Sequence, residues 1–181
     1  MKIYTRKGDD GTTGLLFGGR VAKNAPQPRA YGSVDESQAV IGLARAHAEP
    51  RSDLDAWLVH VERDLWVVMG ELASAPENRS KLKPGESLVT AGMVTHLEEM
   101  IDDINGRFEP PTEFVVPGQS RVSAHLDVAR TVVRRAERES IDATDSDSRV
   151  LAYLNRLSDL LWTLARWQEG DSLVTRAVPD E

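Results

Sequence analysis

Residues 124–140 read AHLDVARTVVRRAERES, and the fold follows from this stretch. On a helical wheel at about 100° per residue, Leu126, Ala129, Val133 and Ala136 fall on one apolar stripe, which Val122 extends. Arg130, Arg134 and Arg138 recur at four-residue steps and form an adjacent stripe of guanidiniums. Glu137 lies at the border of the two stripes, and Arg135 points elsewhere. Like charges in one row repel by a few tenths of a kcal/mol per pair, so the row gains if carboxylates or an anion sit opposite. Arginine also suits phosphate, which its planar fork of donors can grip. The plain reading is a solvated face, partly neutralised by Asp127, Glu137 and Glu139.

Composition narrows the choice. The chain has 181 residues, enough for one domain with a real core, and we read 1–181 as a single unit. A net charge of −7 disfavours general nucleic-acid binding through a basic surface, so a local arginine cluster points to a small polyanion in a defined pocket. There is no cysteine, which excludes disulfides, thiolate metal sites and thiol nucleophiles. His47, His60, His96 and His125 form no HxH or HxxxH pair, and no resident metal site is expected. No apolar run approaches the roughly 18 residues of a membrane span, and MKIYTRKGDD lacks a signal-peptide core. A cytoplasmic protein with no membrane role is the expectation.

The N-terminal region, 1–31, starts with an extended piece from Lys2 to Thr5 and enters a loop rich in glycine, threonine and aspartate. Gly8, Gly11 and Gly14 let the backbone turn and approach a ligand, and exposed N–H groups with the hydroxyls of Thr5, Thr12 and Thr13 could cradle phosphate. Lys7, Arg20 and Lys23 add positive charge. No Gly-Lys-Ser/Thr follows, so this is not a Walker A loop.

Residues 21–31 read as a connecting loop because of Pro26 and Pro28. Ser33-Val34-Asp35-Glu36 has the capping-box pattern and predicts a helix from about Ser33 to Ala48. Asp35 then sits in a first turn, where the helix dipole favours a carboxylate; the alternative is a partner for an arginine. A second helix is predicted over 52–74, on Leu54, Trp57, Leu58, Val61, Leu65, Val68, Met69 and Leu72. Residues 75–88 read as a mobile loop, and 90–105 as a third amphipathic helix. The proline-rich stretch 106–118 presents Phe114, which from spacing alone is either a plug over the bundle end or a wall of a ligand pocket. After the arginine helix, Asp147 or Ser148 is placed to cap a last helix over 150–168, with Gly170 as its stop. Asn155 and Asp159 on that helix are spaced to bond one another, and the tail 171–181 reads as flexible. The expected fold is all-α, a five-helix up-and-down bundle with a short N-terminal extended segment and a glycine-rich loop.

Several pieces together resemble the PduO-type ATP:cob(I)alamin adenosyltransferases. They are TRKGDDGTTGL, the run from Arg29 through YGSVDE, FVVPG, AHLDVARTVVRRAER and YLNRLSDLLW, in the family's order and over nearly the whole chain. Two departures stand out. Ser37-Gln38-Ala39 follows Asp35-Glu36 where the family usually has Leu-Asn-Ser, and Gln119 replaces a common glycine.

The resemblance implies transfer of the 5′-deoxyadenosyl group of ATP to the cobalt of cob(I)alamin, with release of triphosphate, in a homotrimer whose active sites lie between subunits. Thr5, Arg6, Lys7, Gly8, Asp9, Gly11, Thr12 and Thr13 are implied to fold over the triphosphate, with Lys23 and Arg29 adding to that site. Arg134 is implied to contact the polyphosphate where charge develops, and Arg135, Glu137, Arg138 and Asn155 to complete the nucleotide site. Mg²⁺ is expected to ride on the phosphates. Asp35 and Arg130 resemble a pair that joins across the subunit interface beside the corrin, and Phe114 the aromatic on the lower axial face of cobalt. A cobalamin reductase and an adenosylcobalamin-dependent enzyme are possible partners on this reading. The alternatives are a non-catalytic helical bundle that binds ATP or another polyanion and regulates, and a delivery protein for the cofactor.

Overall fold

The computed structural model describes residues 3–178, so Lys2 of the expected extended piece and positions 179–181 of the tail lie outside the described residues. Five long helices carry the chain: α1 (Pro26–His47), α2 (Asp53–Leu72), α3 (Ala91–Asn105), α4 (Arg121–Ser140) and α5 (Val150–Glu169). The arginine helix α4 packs between α1 and α5; α2 lies against the far side of α1, and α3 against α5. Among the described residues, no helix is long and apolar enough to cross a membrane.

The apolar stripes become the core. Leu126, Ala129, Val133 and Ala136 of α4 are fully buried, with Val122 packed against the same cluster. Leu54, Leu58, Val61, Leu65, Val68 and Leu72 do the same on α2. On α5, Tyr153, Leu154, Leu157, Leu160, Leu161 and Leu164 are inside. Each fully buried Leu or Val contributes roughly 1.5–3 kcal/mol through the apolar area it removes from water. Small residues on α1, among them Ala30, Ser37 and Ala44, are buried and let α1 approach α4 closely.

Side-chain caps set several boundaries. Ser52 Oγ accepts from the Asp55 N–H, and Thr90 Oγ1 accepts from the Met93 N–H. Ser120 and Ser123 form a reciprocal capping box that starts α4 three residues before the quoted stretch. At α5 the N-cap is Arg149, not Asp147 or Ser148 as expected, and makes no side-chain cap bond, although Ser148 Oγ accepts from the Val150 N–H just ahead of the helix; Gly170 adopts φ 71° just past its end.

Three expectations are corrected. Helix α1 starts at Pro26, not Ser33, because prolines in a first turn lose no hydrogen bond and their fixed φ suits a helix. The residues 33–36 therefore sit inside α1, and Asp35 has no claim to the dipole of a first turn. The stretch 75–88 is a 3₁₀ helix (Pro76–Lys81) and a turn, and no free loop. Buried Glu71 holds it in place: its carboxylate accepts from the Val89 N–H at 2.7 Å and Ser148 Oγ at 2.6 Å, and lies 3.4 Å from Arg79. Residues 171–178 of the expected tail bond to the Phe114 loop through Val116 N–H to Leu173 O and Thr175 N–H to Phe114 O, both at 2.8 Å. Lastly, Thr12–Gly14 (β1) and Arg20–Ala22 (β2) form an antiparallel hairpin where a loop was expected. Leu16 N–H bonds Ala73 O at 2.8 Å and docks this hairpin on the end of α2.

Candidate functional site

The candidate residues fall into three groups within one chain. The first is the N-terminal hairpin. Asp10 Oδ1 accepts from both the Thr12 hydroxyl at 2.8 Å and the Thr12 N–H at 3.0 Å, and these bonds hold its carboxyl below the usual carboxylate range. Arg20 reaches back across the ribbon, donating through Nε to Thr12 Oγ1 at 3.1 Å and through Nη2 to the Lys7 carbonyl. A Cβ on Gly8 would meet the Thr12 carbonyl at 3.1 Å and the Lys23 side chain at 3.3 Å, so glycine leaves the room in which Lys23 lies against this backbone. Gly11 turns the chain at φ 80°, and Arg6 sits at φ 62°, a conformation non-glycine residues rarely hold. Thr5, Arg6, Lys7, Asp9 and Lys23 are exposed here, and Thr13 is half-buried on β1. Arg20 entered the sequence reading as added charge; its position identifies it as the brace that shapes the loop.

The second group lies on the exposed flank of α4. The Arg134 guanidinium is exposed and has no partner among the described residues. Arg138 Nη1 donates to the Arg134 carbonyl at 2.9 Å, one turn along. Asn155 Nδ2 donates to Glu137 Oε1 at 3.1 Å, which joins α5 to the arginine face. The expected Asn155–Asp159 bond is replaced: Asp159 accepts from Arg156 at 2.7 Å. Arg29 pairs with Glu139 at 3.0 Å and Arg135 pairs with Glu36, so both cations are engaged by neighbouring carboxylates on α4 and α1. Among the described residues, no bond runs from the N-terminal hairpin to Arg134 or Arg138.

The third group surrounds Phe114. This ring is 91 % exposed, although the loop beneath it is hydrogen-bonded to the C-terminal segment. Phe114 stands at a cavity of about 390 Å³ that is also lined by Pro117, Asp127, Arg130, Trp162 and Arg166. The cavity favours the pocket-wall alternative over the plug, since a plug is covered by what it plugs. Arg130 Nε donates to Asp127 Oδ1 at 3.2 Å, within the same helix. Asp35, exposed on α1, has no partner among the described residues, so within one chain Asp35 and Arg130 do not meet.

Trp162 and Arg166 escaped the sequence reading, which took Asp127 only as a partial neutraliser of the arginine face. The available signals were a carboxylate three residues before Arg130 and an arginine in the last turn of a leucine-rich helix. The histidines are also closer than their separation in sequence suggests. His47 stacks on His125 with centroids 4.9 Å apart, and His60 meets His96 edge-on at 4.6 Å. Even so, no three His, Asp or Glu side chains among the described residues are grouped to hold a metal ion.

Comparison with known proteins fits this arrangement. The chain is 39 % identical over 178 residues to the corrinoid adenosyltransferase PduO of Salmonella typhimurium, covering 95 % of this chain and 51 % of that protein. It thus spans about half the length of that relative. With the cobalamin adenosyltransferase of Cupriavidus metallidurans it shares 40 % identity over 168 residues, covering 91 % of this chain and 86 % of the relative. A phenylalanine-to-histidine variant of a PduO-type ATP:corrinoid adenosyltransferase from Lactobacillus reuteri, solved with cobalamin and ATP, superposes with a TM-score of 0.86 at 28 % identity, covering 97 % of each chain. The sequence pattern of one family, described as cobalamin adenosyltransferase, matches residues 3–168, and with identities near 40 % to its members the chain belongs to that family.

Proposed function

We propose that this chain transfers the 5′-deoxyadenosyl group of ATP to the cobalt of cob(I)alamin, forming adenosylcobalamin and releasing triphosphate. The observation that carries the reading is Phe114, 91 % exposed beside a cavity lined by Arg130 and Trp162, in a chain of this family. An apolar ring held out by a bonded loop gains about 2 kcal/mol when an apolar surface covers it, and a corrin face is such a surface.

The reaction needs no protein nucleophile. The Co(I) electron pair attacks C5′, the C5′–O bond breaks, and that electron pair leaves on the triphosphate. The protein's tasks are to position the two substrates and to stabilise the charge that gathers on the leaving group. Arg134 suits the second task, because no carboxylate among the described residues engages it. Glu137 and Asn155, already bonded to one another, together with Arg138 and Arg135, are placed along the same flank for the nucleoside. Thr5, Arg6, Lys7, Gly8, Asp9, Gly11, Thr12, Thr13, Lys23 and Arg29 would supply N–H, hydroxyl and cationic contacts to the phosphates. Mg²⁺ would arrive on those phosphates and screen their charge, since the described residues offer it no ready-made cage.

Phe114 would occupy the lower axial face of cobalt and keep the dimethylbenzimidazole tail off the metal. Without that ligand the orbital that accepts the electron lies lower, and cob(II)alamin is easier to reduce. A homotrimer is part of the proposal, because it offers the unpartnered Asp35 and the outer nitrogens of Arg130 a meeting place between subunits. A cytoplasmic setting follows from the chemistry, which needs ATP and a strong reductant together. A cobalamin reductase and an adenosylcobalamin-dependent enzyme are the partners it would serve.

The test is an anaerobic absorbance assay with chemically reduced cobalamin and MgATP. The expected result is loss of the cob(I)alamin spectrum, growth of a light-sensitive alkylcobalamin spectrum and release of triphosphate. Tight ATP binding by folded protein without conversion would instead make it a nucleotide-binding regulator.

A further inference from the structure

Arg166 is the largest fully buried side chain among the described residues, 2 % exposed on a helix whose buried side is mostly leucine. An isolated buried guanidinium is costly, so the groups around it matter. Its Nη2 donates to Asp127 Oδ2 and, at 2.9 Å, to Glu169 Oε1. Its Nε is buried without a partner in the described structure. From Asp127 the network continues to Arg130, whose Nε donates to Oδ1 at 3.2 Å. From Glu169 it continues to Ser172, whose hydroxyl donates to Oε2 at 2.9 Å. The next residue, Leu173, accepts from the Val116 N–H, and Thr175 donates to the Phe114 carbonyl. The buried Asp127–Arg166–Glu169 cluster is thus linked to Arg130 on α4 at one end and, through Ser172 and the chain that follows it, to the exposed loop that carries Phe114 at the other.

We propose that Asp127, Arg166 and Glu169 are positioning residues that fix Arg130 and the Phe114 loop in one frame, and so set the shape of the corrin-binding side of the site. The inference rests on the adenosyltransferase reading above. Asp127 holds Arg130 by Nε alone, which leaves the two terminal nitrogens of Arg130 directed by that anchor and available to an outside partner. Glu169, with side-chain exposure of 0 %, ties Arg166 to the C-terminal segment. The two carboxylates and two guanidiniums balance in charge, so the network can be buried whole, whereas any member left alone is unstable there. None of the three needs to touch substrate, since each acts through Arg130 or through the loop.

A mutant cycle tests this. Asp127→Asn keeps the size and an acceptor but removes the charge that holds both arginines. Its KM for cob(I)alamin is expected to rise about tenfold while the KM for ATP stays put, and the same substitution in an Arg130→Ala background is expected to change the corrin KM less than twofold. A merely structural role would lower the melting temperature and move the corrin KM equally in both backgrounds, and that result overturns the inference. Glu169→Gln is the second probe, should the first variant fail to fold. It is expected to lower turnover from cob(II)alamin plus reductant about fivefold relative to supplied cob(I)alamin, and to lose that discrimination in a Phe114→Ala background. Equal loss on both substrates, or loss of folding in both variants, makes the network structural only. A wild-type chain that neither binds nor adenosylates cobalamin overturns the functional reading and this inference with it, whereas normal wild-type turnover with additive effects overturns the inference alone.

Discussion

Arg130 and Arg134 stand one turn apart on the same face of α4, and the fold treats them in opposite ways. Arg130 is drawn inward by Asp127, which is itself held by buried Arg166. Arg134 is exposed and engaged by no carboxylate among the described residues, although Glu137 and Glu139 lie close along the helix. Glu137 is occupied by Asn155 and Glu139 by Arg29, so the acids that could neutralise the stripe are directed elsewhere. A cation kept from its neighbours is ready for an external anion, and a cation anchored from behind is ready to be aimed. The solvated-face reading of the arginine stripe does not separate these two cases; the pattern of partners does.

The largest expected effect lies on the anchored side. Asp127→Ala removes one partner of a buried ion pair and leaves Arg166 with only Glu169, so it should cost about 3–5 kcal/mol of folding stability. Chemical denaturation at neutral pH measures this, and a loss near zero would mean that the network is hydrated and its burial carries no constraint. Arg134→Ala should show the reverse profile: unchanged melting temperature and assembly, with turnover lower by about 10²–10³, which corresponds to roughly 2–4 kcal/mol of transition-state charge stabilisation. If Arg134→Ala unfolds the protein while turnover per folded molecule is kept, the contrast between the two arginines is broken. Phe114→Ala should have a smaller effect than either, with turnover from cob(II)alamin reduced about tenfold more than turnover from cob(I)alamin, a difference of roughly 1.4 kcal/mol. Equal reductions would remove the axial role.

These contrasts also mark what could be read without coordinates. The core stripe of α4 was legible, since Leu126, Ala129, Val133 and Ala136 repeat at helical spacing and all are buried. The candidate nucleotide and corrin residues come from the motifs that carry the family resemblance, and most of them stand on a hairpin, a helix flank or a cavity wall, with Asp35 apart on α1. The start of α1 was misread because Pro26 and Pro28 signal both loops and first turns, and only the surrounding packing decides between them. The β-hairpin was missed because three-residue strands give no usable alternation, and its brace, Arg20, acts across the turn. Arg166 was invisible for a different reason. Its partner Asp127 is 39 positions away, and a buried ion pair leaves no periodic trace in either helix. Glu71 repeats the lesson, since its partners Val89 and Ser148 come from distant turns.

Buried carboxylates extend the same contrast at the smallest scale. Asp127 has guanidiniums on both oxygens, whereas the interior side of α2 holds Asp64 with weaker neighbours: the Tyr153 hydroxyl at 3.2 Å and His60 Nε2 at 3.5 Å. Burial pushes the Asp64 carboxyl upward, against the opposing pull of His60, the Tyr153 hydroxyl, His96 and Arg63. Burial likewise pushes the Tyr153 phenol well above its ordinary range, so it stays a donor to Asp64. A carboxyl whose folded pKa is raised holds its proton more tightly in the folded chain than in the unfolded one. Its contribution is therefore favourable at low pH and is lost as pH rises through the folded value. Asp64→Asn keeps an acceptor for Tyr153 and cannot ionise, so it should stabilise the fold at pH 7–8. That gain should shrink as pH falls into the carboxylate range, where wild-type Asp64 is protonated as well. Urea titrations of both proteins at neutral and acidic pH check the sign. A gain independent of pH would assign it to packing, and a loss at neutral pH would mean that His60 and His96 together pair with Asp64 as effectively as the guanidiniums pair with Asp127.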